Sequence, residues 1–130
     1  MYPVTTSTAS LLALLFVVIS LNIVKFRHKY KVSIGENGHE DLHRIIRAHG
    51  NFAEYVPITL LLILCAEANH ANWKVLSVLA SFFVLGRLFH AYAFIFNKKH
   101  YRFRFRGMVL TLTVIICLSL LNLILLIPLN

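Results

Sequence analysis

Arg44, Arg47, Asn51, Glu54 and Tyr55 stand three, four, three and one residues apart. On a helix of 3.6 residues per turn the first four line one face, and Tyr55 lies one step round from them. Guanidinium groups, a carboxamide and a carboxylate on one stripe form a donor and acceptor set suited to a small charged molecule. Arg87, His90, Ala91 and Phe94 share a face in the same way further along the chain, and Arg102, Arg104 and Arg106 form a third basic group.

The elements that position these groups are membrane-spanning helices. Of the 130 residues, 58% are hydrophobic and only 14% charged, with a mean hydropathy of +0.74. An ordinary soluble domain carries roughly 25% charged residues, and a soluble fold could not hide this much apolar surface. The net charge of +8 does not indicate nucleic acid, because Lys and Arg are confined to short segments between long apolar runs rather than spread over a polar face.

Four spans are expected in one all-α bundle occupying residues 1–130, at approximately 3–30, 42–68, 73–96 and 105–128. Gly107 to Ile127 carries no charge and at ~1.5 Å per residue just crosses a hydrocarbon core, with Pro128 ending it. Trp73 opens the third span as an interfacial anchor, and Pro3 is a favourable start for the first. The run Ala9 to Val24 lacks a preceding basic segment and a following cleavage site, so it is expected to remain as a helix. Ile34-Gly35-Glu36-Asn37-Gly38 reads as a loop. Short connections predict antiparallel neighbours. Cys65 and Cys117 sit inside apolar runs without the spacing of a zinc or redox pair, and are expected as buried free thiols.

Charge asymmetry orients the bundle. Lys25, Arg27, Lys29, Lys31, Arg44 and Arg47 flank the first loop, and Lys98, Lys99, Arg102, Arg104 and Arg106 flank the third, whereas the second has only Lys74. The positive-inside rule then places the first and third loops in the cytoplasm and both termini on the other side.

Glu54 lies about twelve residues into its span, roughly 18 Å by helical rise, where an ionised carboxylate facing lipid is costly. Arg87 reaches a comparable depth counting inward from Asn97, so Glu54 and Arg87 are expected to meet, with His90 and Asn51 nearer the cytoplasmic mouth. A structural ion pair pinning two helices is the plain alternative. It leaves the remaining cations unused, and their excess points to a pocket for a small anion bearing carboxylates and an amine or amide.

The segments that carry this chemistry resemble a known family. Arg47-Ala48-His49-Gly50-Asn51-Phe52-Ala53-Glu54-Tyr55-Val56-Pro57 resembles the second-helix signature of the MAPEG family, the membrane-associated proteins of eicosanoid and glutathione metabolism, and Gly86-Arg87-Leu88-Phe89-His90-Ala91-Tyr92 resembles its third-helix motif. The likeness covers essentially the whole chain and is strongest to the short bacterial members. It implies a homotrimer in the bacterial inner membrane, with glutathione as cosubstrate bound between subunits near the cytoplasmic side. The implied activity is transfer of the glutathione thiol to lipophilic electrophiles, or reduction of lipid hydroperoxides. By the same resemblance Arg27, Arg47, Asn51, Glu54, Tyr55, Arg87, His90 and Tyr92 match glutathione contacts or their supports. Arg106, and after it Arg104, match the fourth-helix arginine proposed to stabilise the thiolate. His28 and Phe94 stand where leukotriene- and prostaglandin-synthesising members have an arginine and a tyrosine, so those reactions are not implied.

His39-Glu40-Asp41-Leu42-His43 fits the H-E-x-x-H pattern of zinc proteases. It abuts a glycine-containing loop and has no third ligand in view, so no metal is expected, and the acidic pair reads as the opening of a helix. A ligand-binding protein without enzymatic activity and a proton-coupled transporter using Glu54 remain open alternatives.

Overall fold

The computed structural model describes residues 1–95 and 101–127. It contains four helices: α1 (Pro3–Tyr30), α2 (Glu40–Ala68), α3 (Trp73–Ile95) and α4 (Tyr101–Leu125). All four are long and apolar enough to cross a membrane. The expected contributions of Phe96, Asn97, Lys98, Lys99 and Pro128 lie outside the described residues.

Two helices begin earlier than hydropathy suggests. α2 starts at Glu40, because Glu40 and Asp41 in its first turn complement the exposed N–H groups there. α4 starts at Tyr101, so the whole basic run is helical. α1 ends where Lys31 turns left-handed (φ 54°), and Gly35, Asn37 and Gly38 also take positive φ in the loop that follows. Such backbone favours glycine and asparagine, the residues by which the loop was recognised.

α2 and α3 form the inner pair. Each touches both outer helices, and among the described residues α1 and α4 do not meet. The core consists of Leu12 and Ile19 from α1, Phe52, Val56, Ile63 and Ala66 from α2, Leu76, Ala80, Phe83 and Ala91 from α3, and Val114 and Leu118 from α4. α3 and α4 approach most closely at Gly86 and Gly107. A Cβ on Gly107 would lie 2.7 Å from the Gly86 carbonyl oxygen and 2.9 Å from the His90 nitrogen, so only glycine allows these backbones to come together.

The outward faces are apolar and uncovered. Leu11, Leu14, Val17, Val18 and Leu21 on α1, and Leu112, Ile116, Leu120 and Leu123 on α4, are all exposed. Lipid, for which such faces carry no penalty, is their natural surrounding. Cys65 and Cys117 are free and exposed rather than buried. An apolar neighbourhood in the sequence marks a core position in a soluble protein, but in a membrane the lipid-facing surface is equally apolar.

Candidate functional site

The long helix α2 carries its polar stripe past the end of α3 and the start of α4. There the three helices enclose a cleft of about 410 Å³. Three arginines (Arg44, Arg47 and Arg104) and two histidines (His43 and His90) line it, together with Asn51 and an apolar wall of Phe94, Phe105 and Met108. No carboxylate is among the described lining residues. Two other clefts, of about 280 and 630 Å³, carry no charged group at all. Cationic and amide N–H donors gathered around one opening are chemically suited to an anion, since a carboxylate placed there would relieve the mutual repulsion of the arginines.

Arg44 is held at the edge of the cleft. Its guanidinium donates to the Phe94 carbonyl oxygen at 3.2 Å and lies 3.8 Å from Asp41, which ties α2 to α3. Arg104 lies over the Phe94 ring, 5.5 Å from its centroid, and His90 packs against the same ring at 4.9 Å. His43 is anchored outward by a close contact with Glu36 of the first loop. His39 stacks on Tyr30 at 4.0 Å. The two histidines of the zinc-like pattern are therefore engaged with different neighbours.

Arg87 is fully buried and lies outside the cleft lining. Its Nη1 and Nη2 both donate to Asn51 Oδ1, each at 3.1 Å, and its guanidinium lies about 6 Å from the ring centroids of Phe52 and Tyr55. The expected meeting of Glu54 with Arg87 does not occur. The packed side of α2 is set by Ala48, Phe52, Val56 and Thr59. Glu54 follows Phe52 by two residues, roughly 200° round the helix, and is exposed. Asn51, adjacent to that packed side, takes the position beside the guanidinium.

The other expected residues are distributed unequally. Arg47, Asn51, His90 and Arg104 come together at the cleft, and Tyr55 is half-buried beside Arg87. Arg106, which the resemblance placed ahead of Arg104, is exposed and does not line the cleft. Tyr92 is exposed and meets Phe103 edge to face at 6.0 Å. Arg27 donates to the Ser33 carbonyl oxygen at 2.6 Å and lines a separate cleft of about 400 Å³ with His28 and Lys31.

Helical geometry explains the order of the arginines. Two-residue spacing on a helix turns successive side chains by roughly 200°, so Arg102 and Arg106 share one face and Arg104 takes the other. Arg104, Gly107, Thr111, Val114 and Leu118 follow at intervals of three and four, and the last four are buried. Continuing that stripe back to Arg104 was the signal by which the sequence could have singled it out. Sequence reasoning placed Arg44 in the stripe without assigning it to the site, and it missed His43, Phe105 and Met108, whose place in the cleft depends on how α3 and α4 cross.

Comparison with known proteins adds an independent line. Residues 5–124 match the MAPEG family. Two relatives, both called inner membrane protein YecN, from Escherichia coli strain K12 and from Escherichia coli O6:H1, are each 38% identical over 86 residues. The aligned part is 66% of this chain and 66% of each relative, so the match spans just under two thirds of the relatives' length.

Proposed function

This chain belongs to the MAPEG family of integral, multi-pass membrane proteins, and on that premise we propose that it binds glutathione in the cationic cleft and uses the thiol against lipophilic electrophiles or hydroperoxides. The observation that carries this function is a cleft lined by Arg44, Arg47, Arg104, His43 and His90, with no carboxylate among its described lining residues. Glutathione has two carboxylates for the arginines and two peptide carbonyls as acceptors for amide donors such as Asn51.

A thiol of ordinary pKa near 8.5 is mostly protonated at neutral pH, and an adjacent guanidinium favours the thiolate. Arg104 is the arginine best placed for this, since it lies in the cleft while Arg106 does not. In the transfer reaction the thiolate forms a bond to an electrophilic carbon. The displaced electron pair departs with the leaving group or moves onto a conjugated carbonyl that is then protonated. In the peroxidase reaction the thiolate attacks one peroxide oxygen, the O–O bond breaks to release an alcohol, and a second glutathione yields the disulfide and water. Phe94, Phe105 and Met108 provide an apolar approach for a lipid-borne substrate.

Assembly with further copies of the chain accounts for Glu54. It lies fourteen residues along α2 from Glu40, roughly 21 Å by helical rise, and it is exposed without a partner among the described residues. A carboxylate at that depth is costly against lipid, and a neighbouring subunit, as in a homotrimer, would remove the exposure. Arg27, held outside the cleft of its own subunit, would serve glutathione only across such a boundary. The cationic end is assigned to the cytoplasm of a bacterial cell, where glutathione is available and where the positive-inside rule places it.

Thermal-shift titration of detergent-purified protein with glutathione tests the binding step, and thiol consumption with a generic electrophile tests the chemistry. Stabilisation that saturates with glutathione, weakened roughly tenfold or more by Arg47→Ala, is the expected outcome. Absence of any stabilisation at millimolar glutathione would sink the assignment, and saturable binding without thiol consumption would reduce the protein to a non-enzymatic ligand binder.

A further inference from the structure

The Arg87 guanidinium donates to Asn51 from the buried side, and Asn51 in turn lines the cleft. From this arrangement we infer that Arg87 is a positioning residue. It locks the Asn51 side-chain carbonyl inward, so that the amide N–H donors are presented to the cleft and that point accepts only a ligand atom able to receive a hydrogen bond.

Arg87 is 0% exposed and does not line the cleft, so any influence on a ligand passes through its neighbours. A guanidinium only donates, whereas a carboxamide has one accepting and one donating end. With two guanidinium N–H groups converging on one oxygen at 3.1 Å each, rotating the amide would set donors against donors. It would also leave both Nη groups of the guanidinium unpartnered in a buried place, where an unmade hydrogen bond is most costly. The orientation of the amide therefore follows from the chemistry of its partners.

The donating end has no partner among the described residues, and it is not one of the buried polar atoms that lack one, which are Arg87 Nε and Asn122 Oδ1. Arg87 also has no carboxylate within ion-pair distance among the described residues. Its charge consequently polarises the Asn51 amide without being neutralised and strengthens the outward N–H donors. A carboxylate or carbonyl oxygen suits that point, whereas an ammonium or a second amide nitrogen does not. The inference deepens the glutathione assignment and rests on it only for the kinetic half of the test.

Two measurements decide the matter. In the first, without ligand, nuclear magnetic resonance of arginine-labelled protein in detergent follows the Nη protons of Arg87. Rotation of the guanidinium should be slow in the wild type and in Asn51→Asp, which preserves the inward oxygen, and fast in Asn51→Ala. Unrestrained rotation in the wild type, or no change in Asn51→Ala, overturns the lock. In the second, steady-state kinetics with glutathione should show Asn51→Asp raising KM roughly tenfold or more, with kcat changed by less than about threefold and the melting temperature retained, because the inward oxygen is kept while an acceptor now faces the ligand. Arg87→Met should raise KM about as much as Asn51→Ala, the double variant should be no worse than either, and Arg87→Lys should recover part of the loss. Multiplying effects, or wild-type KM in Asn51→Asp, refute the positioning role. If wild-type protein does not bind glutathione, the proposed function fails on that result, and the ligand-free measurement still decides the lock.

Discussion

The two ends of the bundle handle charge in opposite ways. At the end holding the N-terminus of α1 and the C-terminus of α2, Glu67 reaches across to α1 and accepts from the Val4 and Thr5 backbone N–H groups at 2.8 Å each and from the Thr5 hydroxyl at 2.6 Å. One acid thereby satisfies donors that a helix start leaves open, for α1 has no side-chain cap of its own. At the other end Arg44, Arg47 and Arg104 line an opening with no carboxylate among its described lining residues, and Arg87 lies behind it, donating to a neutral amide. An acid aimed at a helix start holds two helices together, whereas cations gathered around a space are available to a ligand.

Substitutions at the two ends should therefore fail differently. The largest effect is expected where backbone contact builds the cationic end. Gly107→Ala forces a Cβ against the Gly86 and His90 backbones and should destabilise the protein by roughly 3 kcal/mol or more. Thermal unfolding in detergent measures this, with Gly50→Ala, whose added Cβ meets nothing within 4 Å, as a control that retains the wild-type transition. Wild-type stability in Gly107→Ala would mean that α3 and α4 do not cross there.

Next in size, Arg104→Ala should cut kcat/KM for glutathione conjugation roughly thirtyfold, about 2 kcal/mol of lost stabilisation, with little change in unfolding. Glu67→Ala should show the reverse, a loss of roughly 1–2 kcal/mol in stability with glutathione binding unchanged. A weakened glutathione titration in Glu67→Ala would show that the two ends are not independent. The smallest effect belongs to Arg106→Ala, expected within about twofold of wild type in kcat/KM. If Arg106→Ala proves the more damaging of the two arginine variants, the face of α4 turned toward the ligand has been assigned wrongly.

Several of these features were readable before any coordinates. Hydropathy and length gave the four helices, Gly35 and Gly38 gave the loop, and three-and-four spacing grouped Arg44, Arg47 and Asn51. The failures share one cause. A charged residue within a span is expected to point inward, yet Glu54 is exposed, and the apolar settings of Cys65 and Cys117 suggest a core, yet both thiols are exposed. In a membrane both sides of a helix are apolar, so hydrophobicity no longer separates inside from outside, and only helix packing does.

The number of helices and the chemical character of the basic end were determined by the sequence alone, because each depends on the local succession of side chains. Which cation meets which partner was decided by the tertiary structure. Asn51 rather than Glu54 stands beside Arg87, and Arg104 rather than Arg106 enters the cleft. The rotation of a helix about its axis separates these outcomes, roughly 60° between Asn51 and Glu54 and 160° between Arg104 and Arg106, and that rotation is set by packing between residues distant along the chain, such as Gly86 against Gly107 for α4.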